Sequence, residues 1–206
     1  MCAALELGRD WMPSRRDWGE LWSEGAPLAC DVTSERRLYS VTSGGAGKLP
    51  GPGAGYSLPS YVCSAAFALG LTGVVFVANT VLGATLELVL RGERSRATAL
   101  GIEFHETAPP RPAEGERLLR VIRTGPDLRF VPAVAFHWVL ERPGGSIMDP
   151  AGIEFGHGPG TAWTVESLDL LTAGRKAQGL SYIDTGIGIV LRPQGAVPPD
   201  GTEAAI

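Results

Sequence analysis

Phe136-His137-Trp138-Val139-Leu140-Glu141-Arg142-Pro143-Gly144-Gly145-Ser146-Ile147-Met148-Asp149-Pro150 is the stretch that decides how this chain is read. An apolar run enters a Pro-Gly-Gly break and a second one leaves it, which is the pattern of a β-hairpin. His137 interrupts the apolar run Val131 to Leu140, where an unpartnered imidazolium is costly. Asp149 is the acid placed to partner it. Side chains alternate faces along a strand, so the loop length decides whether the two meet. With a three-residue loop, Pro143-Gly144-Gly145, Arg142 faces Ser146 and Val139 faces Asp149. His137 then faces Ala151, with Asp149 as its diagonal neighbour on the same face. A loop of two or four residues points them apart. Three-residue hairpins need a left-handed residue, which glycine supplies.

A histidine oriented by an aspartate can serve a nucleophile, and Cys63 is the thiol that the sequence offers. It follows Pro59-Ser60, a suitable helix entry, and a helix N-terminus lowers a thiol's pKa. The competing reading is a structural thiol, because free cysteine is among the most buried residue types.

Around these residues the chain reads as follows. Trp11, Trp18 and Trp22 have helical spacing, so a short helix is expected near 14–24. Residues 31–41 are expected to be a strand and 43–60 a Gly/Pro-rich loop. The apolar run 61–90 divides into helices at 61–70 and 74–91, with Gly92 as C-cap. Strands are expected at 97–104, 118–123, 130–141, 146–148 and 181–191, with a Pro-rich loop at 105–116. Thr164 is taken as the N-cap of a helix reaching 178, with Glu166 and Asp169 in its first turn and Arg175 and Lys176 near its end. Helices early and strands late imply α+β with an antiparallel sheet. The expected division is a single domain over 1–192, irregular in 1–60 with the core in 61–192, followed by a flexible tail at 193–206.

The pattern His137-Trp138-Val139, Gly145, Ile147-Met148-Asp149-Pro150-Ala151 and Phe155-Gly156 resembles the His–Asp hairpin of transglutaminase-like and papain-like cysteine proteins. Those families place the nucleophile at the start of a central helix ahead of the sheet. The order Cys63, His137, Asp149 agrees with theirs. The resemblance implies a papain/transglutaminase-like fold, with central apolar helices packed on an antiparallel sheet. It also implies a Cys-His-Asp triad acting on an amide of a protein or peptide. Cys63 would attack the carbonyl, His137 would move the proton and Asp149 would fix the tautomer. Peptidase, glutamine deamidase and transglutaminase-like transfer all fit that chemistry.

Composition narrows the field. The 206 residues suit one domain able to bury a core without staples. Hydrophobic residues are 44% and net charge is −4, with no basic stripe, which argues against disorder and nucleic acid. Cysteines at 2, 30 and 63 form neither a metal-ligand spacing nor an even disulfide framework. They suggest free thiols in a reducing compartment. No metal or other cofactor is expected, since His105, His137 and His157 lack ligand spacing, and His105 and His157 read as solvated. Ser43-Gly44-Gly45-Ala46-Gly47-Lys48 departs from a phosphate loop and reads as linker. Arginine outnumbers lysine (only Lys48 and Lys176), which suggests a GC-rich bacterium. Residues 1–6 lack the regions of a secretory signal, so a cytoplasmic location is expected, with export by another route left open. Three other roles compete. One is Cys2 as an N-terminal nucleophile after loss of Met1. Another is a catalytically inactive binding or scaffold protein. The third is a membrane-active effector using 61–90, a run long enough to span a bilayer.

Overall fold

Strand β7, Leu180–Pro193, is the axis of the molecule. Its apolar residues sit on both faces, so it needs a partner on each edge and a cover on each side. The computed structural model, which describes residues 2–9, 25–29, 32–42, 57–78, 92–126, 135–150 and 163–195, supplies both. Among the described residues seven strands are present: β1 Leu71–Val77, β2 Phe104–His105, β3 Arg117–Pro126, β4 Ala135–Glu141, β5 Ile147–Asp149, β6 Trp163–Val165 and β7. They form one sheet in the order β2-β1-β7-β3-β4-β5-β6. β1 and β2 pair in parallel and the other neighbours are antiparallel, so the sheet is mixed.

The described helices are α1 Cys2–Glu6, α2 Val32–Thr42, α3 Pro59–Ala68, α4 Glu93–Ala99 and α5 Leu168–Ala177. They divide between the two faces. On the first face, Ala3, Ala4, Ala65, Ala66 and Leu69 pack with Leu71, Val75, Ile189, Leu191, Leu140 and Met148. On the second face, Leu171 of α5 packs with Ile122, Val139, Ile147 and Tyr182. Alternation along β4 keeps the faces distinct, with Trp138 and Leu140 on the first and His137 and Val139 on the second. The register of β3 against β7 shifts between Val121 and Ile122, where β7 carries the extra residues Thr185 and Gly186 as a bulge. Thr185 closes it by donating its hydroxyl to the Val121 carbonyl at 2.7 Å and accepting the Ile187 amide at 3.2 Å.

The α+β class holds, while several element assignments change. Residues 32–42 are helix, not strand, because Leu38 and Val41 are one helical turn apart and both face the core. Residues 71–77 are strand rather than the start of a second helix, in keeping with Val74-Val75-Phe76-Val77. Residues 97–99 belong to the helix Glu93–Ala99 rather than to the strand expected over 97–104, and Gly92 is the N-cap of that helix at φ +87°. Thr164 lies in β6, and the N-cap of α5 is Ser167, whose hydroxyl oxygen accepts the Leu170 amide at 3.3 Å. The stretch 1–60 carries α1 and α2. Cys2 is disulfide-bonded, so the cysteines are not all free as expected. Among the described residues no helix is long and apolar enough to cross a membrane. The expected helix at 14–24, the Ser43–Lys48 linker, His157 and residues 79–91 lie outside the described residues.

Candidate active site

The hairpin has the three-residue loop that the site requires. Arg142 donates its amide to the Ser146 carbonyl at 2.9 Å, and Gly145 donates to Arg142 at 3.0 Å. Gly144 and Gly145 sit at φ +85° and +93°, which a side chain would strain. Leu140 pairs with Met148 and Glu141 with Ile147, so Val139 stands opposite Asp149. His137 and Asp149 therefore share a face, and His137 Nε2 lies 2.6 Å from Asp149 Oδ1. A carboxylate only accepts, so Nε2 is the donor in this contact. Asp149 is fully buried, whereas the His137 side chain is 22% exposed, so the imidazole alone opens to solvent.

Asp149 is held from its other side as well. Arg175, in the last turn of α5, donates from Nε at 3.1 Å and Nη2 at 2.6 Å to Asp149 Oδ2. Its guanidinium is fully buried and stands 5.3 Å from the centre of the Tyr182 ring. The Tyr182 ring is tilted against His137 at 6.1 Å between centroids. Neither Arg175 nor Tyr182 was expected here from sequence. Arg175 reads as a helix-end cation, but Leu168, Leu171 and Arg175 follow an i, i+3, i+7 spacing that puts it on the buried face of α5.

The structure does not bring Cys63 to this pair. Cys63 is 2% exposed on the first face, beneath β1 and β7. A Cβ on Gly73 would stand 2.8 Å from its sulfur, beside Ile189 and Leu191. His137 points into the second face, two strands further along the sheet. The expected help from the α3 N-terminus is also cancelled. Glu93 fills that end, accepting from the Ser60 amide at 2.9 Å and the Ser60 hydroxyl at 3.1 Å. Burial pushes the Cys63 thiol up to about 12, and the Glu93 charge adds to the rise. Cys63 is a core thiol and not the partner of His137.

Cys2 is the other described cysteine. It is the first residue of α1, half-buried, and disulfide-bonded. α1 is tied to the strand that carries His137. Glu6 accepts from Arg142 Nη2 at 2.7 Å, just beyond β4, and from Arg117 Nε at 2.6 Å at the start of β3. Burial alone would raise the Glu6 carboxyl, but hydrogen bonds and charge from Arg142 and Arg117 outweigh it and hold the group below its usual value. His105 stacks on Phe76 at 5.0 Å and meets Glu103 at 2.7 Å, far from the pair in sheet order. Among the described residues no cluster of His, Cys, Asp and Glu is arranged to hold a metal ion.

Comparison with known proteins adds a family. The family described as "Invasion plasmid antigen J, cysteine protease" matches residues 1–194. "Cysteine protease IpaJ" of Shigella flexneri is 30% identical over 155 residues, covering 73% of this chain and 58% of that protein. The chain thus spans little more than half the length of this relative. No solved structure matches. With a family of cysteine proteases matched over nearly its whole length, and a buried aspartate orienting a half-open histidine, the chain belongs to the invasion plasmid antigen J cysteine protease family.

Proposed function

We propose that the protein is a cysteine peptidase in which His137 is the general base and acid, Asp149 orients it, and Cys2 is the nucleophile. The observation that carries this proposal is the His137–Asp149 contact of 2.6 Å in a chain of a cysteine protease family. Cys2 is favoured over Cys63 for two reasons. It heads a helix that Glu6 ties to Arg142 just beyond β4, and it is half-buried where Cys63, which packs on the same face, is only 2% exposed. Cys30 lies outside the described residues.

Reduction of the disulfide at Cys2 by an external dithiol, which is itself oxidised to a disulfide, is the first requirement, since only a thiolate attacks. His137 Nδ1 then takes the thiol proton, and sulfur adds to the carbonyl carbon of a peptide bond. Collapse of that adduct breaks the C–N bond, and the imidazolium gives its proton to the leaving amine. Water, deprotonated by the same imidazole, cleaves the thioester and returns the free thiol. Hydrolysis of a protein backbone is preferred to deamidation or transfer because the family name denotes proteolysis. A reducing compartment such as the cytoplasm suits an enzyme whose nucleophile must be released from a disulfide.

The test is cleavage of a proteome-derived peptide library by the reduced protein, read by mass spectrometry. New termini should appear with wild type and with Cys63→Ala, and disappear with Cys2→Ala and His137→Ala. Products unchanged by His137→Ala would sink the assignment.

A further inference from the structure

Arg175 is a fully buried cation that the peptidase chemistry does not itself use. Its two donors converge on one oxygen of Asp149, Oδ2, and leave Oδ1 to His137. The carboxylate cannot rotate without breaking contacts at both ends. The guanidinium is itself fixed in three ways. Nη1 donates to Gln178 Oε1 at 3.1 Å, the Tyr182 ring lies alongside, and Leu171 of the same helix is fully buried against Ile122, Val139 and Ile147. An ionised carboxylate in a dry core needs a counter-charge, and a planar fork satisfies it with defined geometry where an ammonium would not.

We propose that Arg175 is the positioning residue of this site: it keeps Asp149 ionised and aimed, so that His137 is held as the tautomer with its proton on Nε2. Resting on the peptidase assignment, this makes α5 a working part of the catalytic unit. The residue acts through Asp149 and touches no substrate. Tyr182 closes the arrangement by spanning Arg175 and His137.

The experiment compares wild type, Arg175→Met and Arg175→Lys, each labelled with ¹⁵N-histidine, at neutral pH. Ring ¹⁵N shifts report the His137 tautomer, assigned by loss of the signal in His137→Gln. Alkylation of Cys2 by iodoacetamide after reduction, mapped by mass spectrometry, reports its activation. Wild type should show one His137 tautomer, with the proton on Nε2. Arg175→Met should show mixed tautomers and alkylation slowed by roughly tenfold to a hundredfold. Arg175→Lys should recover part of both, because it restores charge without the fork. If Arg175→Met does not fold, Arg175→Lys decides alone: a mixed tautomer in a protein with native circular dichroism supports the proposal. A pure Nε2-protonated tautomer and wild-type alkylation in either folded variant overturn it. Failure of wild-type Cys2 to react at all would instead overturn the choice of nucleophile, because the tautomer signal does not depend on which cysteine attacks.

Discussion

On one face of the sheet Cys63 lies among Leu71, Ile189 and Leu191, its thiol pushed up to about 12. On the other face His137, Asp149 and Arg175 share a chain of hydrogen bonds that ends in a half-open imidazole. Both regions bury a group with reactive chemistry, and burial alone does not separate them. What separates them is the counter-charge. The first face gives Cys63 only desolvation and the nearby carboxylate of Glu93, both of which hold the proton on sulfur. The second gives Asp149 a guanidinium, which makes an ionised carboxylate tolerable inside the protein. Burial without a counter-charge therefore leaves an inert thiol on one side, and burial with one leaves a carboxylate that orients a half-open imidazole on the other.

The largest effect that would break this contrast is on catalysis. His137→Ala should lower peptide hydrolysis by about a thousandfold or more. Cys63→Ala should leave hydrolysis within about twofold, since a thiol with a pKa near 12 is ionised to only about one part in 10⁵ at pH 7. Equal losses in the two variants would erase the distinction between the faces.

Stability comes next. Arg175→Met leaves Asp149 buried without its counter-charge and should cost about 3–5 kcal/mol, measured by urea denaturation. A loss below about 1 kcal/mol would mean that the pair is far wetter than its burial indicates.

On the first face the expected effect is steric. Gly73→Ala puts a methyl group 2.8 Å from the Cys63 sulfur and 3.2 Å from Ile189 Cγ2. It should destabilise by about 1–3 kcal/mol, and Cys63→Ala should relieve a large part of that. Simple additivity of the two substitutions would show that the sulfur is not where the packing places it.

The smallest effect concerns the tie between α1 and the strands. The Glu6 carboxyl is held below its usual value, so its contribution is present above the unfolded pKa and is lost as pH falls through the lower folded value. Glu6→Gln should cost about 1 kcal/mol at pH 7, with the difference from wild type closing in acid. A pH-independent difference would remove the charge of Arg117 and Arg142 from the explanation.

Legibility differed between the same two regions. The His137–Asp149 pair followed from the sequence because a hairpin fixes facing by loop length, and Pro143-Gly144-Gly145 holds the odd number. Strands β3 and β7 were readable from their apolar runs. Cys63 was not, because whether a helix start activates a thiol depends on what fills it, and Glu93 is 33 residues from Ser60 in the chain. Residues 32–42 and 71–77 were assigned the wrong periodicity. A short apolar segment after a glycine, as at 71–77, fits helix and strand about equally, and only its neighbours in the sheet decide. Arg175 was hidden for a related reason. A cation near a helix end has an ordinary explanation in the helix dipole, and the acid that draws it inward lies in the hairpin.

Mapping the site of alkylation tests the central contrast most directly. The reduced, folded protein is treated with a limiting amount of iodoacetamide at pH 7, and each cysteine is quantified by mass spectrometry in wild type and His137→Ala. The account predicts that Cys2 is modified first, that His137→Ala slows it, and that Cys63 stays unmodified until the protein is unfolded. Rapid, His137-dependent alkylation of Cys63 in the folded protein would contradict it.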